Sequence, residues 1–192
     1  MSRRIATLGP RGTDHERAAR AYGRLRCLDA EIELCPSLDV TMDTMLGDPD
    51  ALVIANAAHA DVDLLTTRAW RHIGIVDFFG LATMPLALVR RRAPADSPGI
   101  AIMPATRGYL DLARFGRVDL VPAKPVALDR VLTGAVDHAV VSRHSYEAHP
   151  EELELLESIG PVECCWLVFG TRRAVPEMIW AATTPWNPSG VA

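Results

Sequence analysis

The chain opens with Arg4-Ile-Ala-Thr-Leu-Gly-Pro-Arg-Gly-Thr-Asp-His-Glu-Arg-Ala-Ala-Arg-Ala-Tyr22, and the fold follows from how this stretch is read. A short apolar run ending at Leu8 reads as a strand. Asp14 to Gly23 reads as a helix that places Ala18, Ala19 and Tyr22 on one face. Between the two lies a tight loop, Gly9-Pro10-Arg11-Gly12-Thr13. Glycines at its ends let backbone approach a ligand, and Thr13 or Asp14 can cap the helix so that first-turn N–H groups face outward. Two readings stand side by side: an anion site, or an ordinary strand-to-helix turn.

The same pattern recurs downstream, a short apolar run followed by a small or polar turn and a helical segment, as βα units of a largely parallel sheet do. Strand 31–34 leads through Cys35-Pro36-Ser37 into a helix at 38–46. Strand 51–54 leads through Ala55-Asn56-Ala57-Ala58-His59 into a weak helix at 61–70. Two consecutive strands, 73–79 and 81–89, then carry the chain into a second lobe. That lobe reads as strand 99–103, turn 104–108, helix 109–115, strand 118–121, helix 126–133, strand 138–141 and a helical turn at 145–149. The segment 90–99 reads as a surface loop, strand 162–169 returns to the first lobe, and the tail 171–192 is expected to pack as an arm. The expectation is one α/β protein of two subdomains around a cleft, with lobe 1 at about 1–80 plus 162–192 and lobe 2 at about 81–161.

Composition narrows the function. The 192 residues are 49% hydrophobic and 23% charged with a net charge of −4, which fits a globular chain and offers no basic field to nucleic acid or an anionic membrane. The N-terminus runs straight into the first strand without an apolar signal or spanning segment, so the expected location is cytoplasmic and the expected partner a small molecule. Cys27, Cys35, Cys164 and Cys165 lack metal-ligand spacing and are expected to be free, mostly buried thiols.

In open α/β sheets, ligands collect at the carboxyl ends of strands. Those positions hold Gly12, Thr13, Ser37, Asn56, Thr106, Arg107, Lys124, Ser142 and Arg143, nearly all hydrogen-bond donors. Lys124, the chain's one lysine, precedes a helix, where a cation would attract a carboxylate. Donors on both lobes point to a small, anionic, oxygen-rich ligand.

The opening motif, with Glu16 and Ala18-Ala19 in the next helix, resembles that of the prephenate dehydratase family, whose pattern is Leu-Gly-Pro-x-Gly-Thr-Phe-Ser. The resemblance extends over residues 4 to about 173 and is specific in the first twenty. It implies a two-subdomain architecture like that of periplasmic binding proteins, no cofactor, and assembly as a homodimer. No regulatory ACT segment is expected in the tail. Three positions depart from the family: Asp14-His15 replaces Phe-Ser, Ala55-Asn56-Ala57-Ala58-His59 replaces Pro-Ile-Glu-Asn-Ser, and Met103-Pro104-Ala105 replaces Ser-His-Pro. A fourth is chemically heavier. The family's Thr-Arg-Phe, which serves the departing hydroxyl and the substrate carboxylate, falls on Cys164-Cys165-Trp166. A hydroxyl leaves poorly without a proton donor, so dehydration is disfavoured.

Losing that pair while carrying a tryptophan at the third position resembles the prephenate decarboxylases of bacilysin-type pathways. The resemblance implies a cofactor-independent lyase that decarboxylates prephenate, or a related cyclohexadienyl carboxylate, without aromatising it. Arg107, Lys124 and His59 are the candidate catalytic groups. Gly12, Thr13, Asn56, Thr106, Ser142, Cys164, Cys165 and Trp166 are the candidate substrate contacts. The alternatives are a true dehydratase giving phenylpyruvate, a dehydratase-like protein of a tropolone-type pathway, and a non-catalytic small-carboxylate-binding protein.

Overall fold

The computed structural model describes residues 3–68, 70–93 and 98–171. The tail expected to form an arm therefore lies outside the described residues from 172 onward, as do residues 94–97 of the 90–99 loop.

The first half alternates as its sequence dictates: β1 (Arg3–Leu8), α1 (Asp14–Leu25), β2 (Ala30–Cys35), α2 (Leu38–Gly47), β3 (Leu52–Asn56), α3 (Val62–Thr67) and β4 (Ile73–Gly80). The second half contains β5 (Leu86–Arg91), β6 (Ile100–Ile102), β7 (Val118–Leu120), α4 (Lys124–Leu132), β8 (His138–Ser142), α5 (Arg143–Glu147), β9 (Leu153–Gly160) and β10 (Cys165–Thr171). They form two five-stranded sheets, ordered β2-β1-β3-β10-β4 and β7-β6-β8-β5-β9.

Both sheets are mixed, which corrects the expectation of a largely parallel arrangement. β1 runs parallel to β2 and β3, while β10 is antiparallel to β3 and β4. In the second sheet β6 is parallel to β7 and β8, while β5 is antiparallel to β8 and β9. The physical reason is the double crossing between sheets. A chain that enters the second sheet as β5 and re-enters the first as β10, without a helix at either passage, arrives pointing the opposite way.

Period-two alternation sends each central strand's side chains to opposite faces, and both faces are covered. In the first sheet Ala6, Val53, Ala55 and Phe169 meet Leu38, Met45 and Leu65 of α2 and α3. Ile5, Ile54, Trp166 and Val168 meet Ala18, Ala19 and Tyr22 of α1 on the other face. The second sheet repeats this, with Ala127 and Val131 of α4 on one side and Leu110, Leu112 and Phe115 on the other.

The two crossovers, residues 81–85 and 161–164, lie side by side. Leu81 N–H donates to Cys164 O at 3.1 Å and Thr83 N–H to Val162 O at 2.8 Å. Thr83 Oγ1 accepts in return from Val162 N–H at 3.0 Å. The strand expected at 81–89 is therefore shorter, because its first residues are committed to this joint and Pro85 has no N–H to add to a ladder. The strand expected at 162–169 starts later for the same reason.

Two further readings change. The helix expected at 109–115 is replaced by 3₁₀ turns at Pro104–Tyr109 and Leu112–Arg114. Asp111 accepts from Ala113 N–H at 3.1 Å and restarts the chain there, as a short carboxylate side chain does when it competes with helix continuation. Strand β9 was not legible at all: it is an edge strand with exposed glutamates, tied to β5 by Arg90 and Glu154 at 2.6 Å. Of the four free thiols, Cys35 is buried and Cys164 half-buried, whereas Cys27 and Cys165 are exposed; the expectation of mostly buried thiols does not hold.

Candidate functional site

The opening loop ends in a cap built from its own side chains. Gly12 has φ +82°, the left-handed region that side chains disfavour, and its N–H donates to Glu16 Oε2 at 2.7 Å. Thr13 is the N-cap of α1 and accepts from Glu16 N–H at 3.4 Å. Glu16 is also held by Arg20 at 2.8 Å, and the Gly12 N–H, followed by Arg20, keeps its carboxyl below the ordinary range. The Gly12 amide thus already faces an internal carboxylate. A Cβ at position 12 would meet nothing within 4 Å, so the expected cost of Gly12→Val is conformational, about 1–2 kcal/mol of stability. Urea denaturation of the folded variant measures it; no loss would mean the loop is not held at this φ.

What faces the other sheet is the next residue. Asp14 is buried, with one carboxylate oxygen accepting from the ammonium of Lys124 and the other from Met84 N–H at 2.7 Å. Arg17 Nε lies 3.7 Å from the same carboxylate, and its guanidinium also donates to Ala82 O in the crossover. Lys124 is not a solvated lysine: its side chain is 9% exposed and that of Asp14 is 8% exposed. Each stands at the first position of its helix, α1 over the first sheet and α4 over the second. A cation at a helix N-terminus opposes the helix dipole, whereas an anion there is favoured. Lys124 therefore occupies a poor local position that the Asp14 carboxylate compensates, and such broken local rules gather at functional sites.

His15 lies beside this pair. Its Nε2 accepts from Asn56 N–H at 3.4 Å, and its ring packs edge-on against Trp166 at 5.1 Å and His59 at 5.9 Å. Burial, then the neighbouring His59 and, more weakly, Lys124, lower its pKa to about 4; Asp14 opposes them. The imidazole is neutral at pH 7. Trp166 is fully buried and its indole N–H donates to Leu81 O at 2.9 Å, tying the ring to the crossover. His59 is half-buried, with Nδ1 accepting from Asp61 N–H at 3.2 Å and its pKa lowered by burial. Tyr109 belongs to the same region: burial raises its pKa, followed by the nearby Cys164 and Asp14.

The structure thus brings Lys124, Asn56, His59 and Trp166 together around Asp14 and His15. The other candidates are placed differently. Thr106 is buried and bonds Met103 O at 3.0 Å, while Arg107 on the same 3₁₀ turn is exposed. Ser142 caps α5, accepting from Ser145 N–H at 3.0 Å, and Arg143 pairs with Glu147 at 2.9 Å. Cys164 donates weakly to Val162 O at 3.6 Å and Cys165 points outward. Among the described residues no group of three or more metal-ligating side chains is assembled. Asp14 and His15 were not among the sequence candidates. Their signal was present: they are the two residues at which the opening motif departs from the family it resembles, and His15 lies one turn before Ala18-Ala19 on the buried face.

No family model matches the chain, and no curated protein matches it. Solved structures do. A prephenate dehydratase from Arthrobacter aurescens, in complex with L-Phe, is similar at 15% identity and TM-score 0.61, over 92% of this chain and 63% of that one. The fold is that of prephenate dehydratases and of two-lobed periplasmic binding domains. The prephenate dehydratase of Staphylococcus aureus subsp. aureus Mu50 matches at 17% identity and TM-score 0.57, over 90% of this chain and 67% of that one. The periplasmic VFT2 domain of Bordetella pertussis BvgS matches at 13% and 0.54, over 88% and 80%. The chain thus spans less than two thirds of the Arthrobacter structure, and at these identities the likeness is one of fold. No helix among the described residues is long and apolar enough to cross a membrane.

Proposed function

We propose that this protein binds a small carboxylate between its two sheets and acts as a cofactor-independent lyase. The reaction proposed is non-aromatising decarboxylation of prephenate or a related cyclohexadienyl carboxylate. The observation that carries this reading is the buried Asp14–Lys124 pair joining the N-termini of α1 and α4 beside the neutral His15. Buried ionisable groups of opposite charge, set where two lobes face each other, mark sites of binding or proton transfer.

The chemistry fits these residues. Breaking the bond between ring carbon and carboxylate releases carbon dioxide and leaves an electron pair in the diene. One proton taken up by the diene completes the reaction, and the ring hydroxyl stays. Lys124, whose side chain donates to Asp14, is the group proposed to supply that proton and to regain it from solvent. Arg107 is a poor donor, since a guanidinium does not give up its proton in proteins. The Cys164 thiol is turned onto Val162 O and offers a leaving hydroxyl no strong acid, which argues against dehydration.

A second reading, binding without turnover, has its own support: Asp14 already neutralises Lys124, and the BvgS domain shares the fold. Incubation with prephenate, followed by absorbance and product analysis, separates the readings. A non-aromatic diene bearing the hydroxyl is the expected product. Phenylpyruvate would establish dehydration, and saturable binding without product would establish the binding protein.

A further inference from the structure

Resting on the reading that Lys124 binds a ligand's carboxylate, we infer that Arg17 is a positioning residue. When Lys124 turns from Asp14 to the ligand, Arg17 Nε closes onto the Asp14 carboxylate and makes that release easier. Arg17 itself touches no ligand. The first ground is a hydrogen bond left unmade. Arg17 Nε is a buried nitrogen with no hydrogen-bond partner among the described residues, although the same guanidinium donates to Ala82 O in the crossover. A buried donor without an acceptor is unfavourable, so an arrangement that gives it one is favoured. Asp14 Oδ1, one turn away on α1, lies 3.7 Å from that nitrogen: near enough for attraction between the charges, too far for a hydrogen bond.

The second ground is how Asp14 is occupied. Lys124 donates to Oδ2 and Met84 N–H to Oδ1 at 2.7 Å, so Oδ1, the oxygen near Arg17, keeps a free acceptor position. A ligand carboxylate that draws the ammonium away would strand an Asp14 side chain only 8% exposed. An approach of about 0.8 Å by Arg17 Nε makes an ordinary N–H···O bond to Oδ1 and relieves that loss. The bond to Ala82 O keeps the guanidinium close by. With its side chain 36% exposed, Arg17 is a weaker partner than the ammonium in contact. It eases the exchange and does not hold Asp14 in the place of Lys124; the ligand's own charge on Lys124 supplies the rest.

Calorimetry with prephenate on a double-mutant cycle tests the inference. Arg17→Met in the wild-type background should weaken binding at least about fivefold, because release of Lys124 then leaves Asp14 with the Met84 N–H alone. In the Asp14→Asn background no carboxylate holds Lys124 or is stranded by its departure, so adding Arg17→Met should change affinity by less than about twofold. A role confined to the fold, or a direct contact with the ligand, would give the same loss in both backgrounds. In wild-type protein labelled with ¹⁵N-arginine, the Arg17 Nε–H signal, assigned by its absence from Arg17→Met, should shift saturably as prephenate is added. Equal losses in the two backgrounds, no loss in the wild-type background, or an Arg17 signal unmoved with prephenate bound would each overturn the inference and leave carboxylate binding standing. Wild-type protein that does not bind prephenate would overturn the carboxylate reading and this inference with it.

Discussion

Lys124→Met is expected to destabilise the protein by about 3–5 kcal/mol, the cost of leaving a buried carboxylate without its cation. Asp14 would keep the Met84 N–H and the more distant Arg17, which are not a substitute for an ammonium in contact. The reciprocal change, Asp14→Leu, should cost a similar amount by stranding Lys124. The double variant should recover much of the loss, since two apolar side chains need no partners in a buried position. Urea denaturation of the four proteins gives the coupling energy directly. A Lys124→Met loss below about 1 kcal/mol is what an exposed pair gives, and it would mean the two helix ends do not meet as described. In folded protein the same substitution should lower kcat/KM for prephenate at least about thirtyfold, roughly 2 kcal/mol, if Lys124 serves the substrate as well as Asp14.

The second large effect is a fall in stability on mild acidification. The ordinary histidine value is 6.5 and burial holds His15 near 4, so between those values the unfolded chain takes up a proton that the folded chain refuses. Stability from this group is fully present above about pH 6.5 and is lost as pH falls toward 4. The gap, at about 1.4 kcal/mol per pH unit, corresponds to roughly 3 kcal/mol. His59 adds to the loss in the same direction, and Asp14 opposes it by favouring the charged ring. Glu16 and Asp137 have lowered values and lose their contribution only at still lower pH. Denaturation midpoints of wild type and His15→Phe at pH 7 and pH 4.5 isolate the histidine. The wild type should lose stability between the two and the phenylalanine variant much less. Parallel losses would show that His15 is not held neutral by its surroundings.

Much of the architecture could be read from local chemistry. Strands such as Ile5–Leu8 and Leu52–Ala55 are near-continuous apolar runs because both faces of the first sheet are covered, and each is followed by a capping residue, Thr13 or Ser37, or by a polar turn. Strand direction is not local. Nothing in residues 162–171 says that they pair with β3 and β4 in reverse; that follows from the two crossovers lying side by side. The acidic edge strand β9 lacks apolar alternation because its pairing with β5 shifts register twice, so the face that successive residues present changes along the strand. The site was legible in part for a similar reason. Lys124 stood out as the one lysine before a helix, and His59 and Asn56 lay in one strand-end loop. The partner of Lys124 lies on the other sheet, 110 residues away in sequence, and no spacing rule reaches across that distance. Asp14 was read as a possible cap because a carboxylate at a helix start usually is one. Its actual role depends on where α4 begins.

In the proposed reaction Lys124 faces both Asp14 and the ligand, and the composition makes this measurable. With a single lysine in the chain, protein grown on ¹³C,¹⁵N-lysine reports one side chain in NMR spectra. A single Cε resonance is expected, one that Asp14→Asn displaces and that shifts saturably as prephenate is added, with the same apparent Kd as calorimetry. A resonance at the position of a solvated lysine, indifferent both to Asp14→Asn and to saturating prephenate, would contradict it.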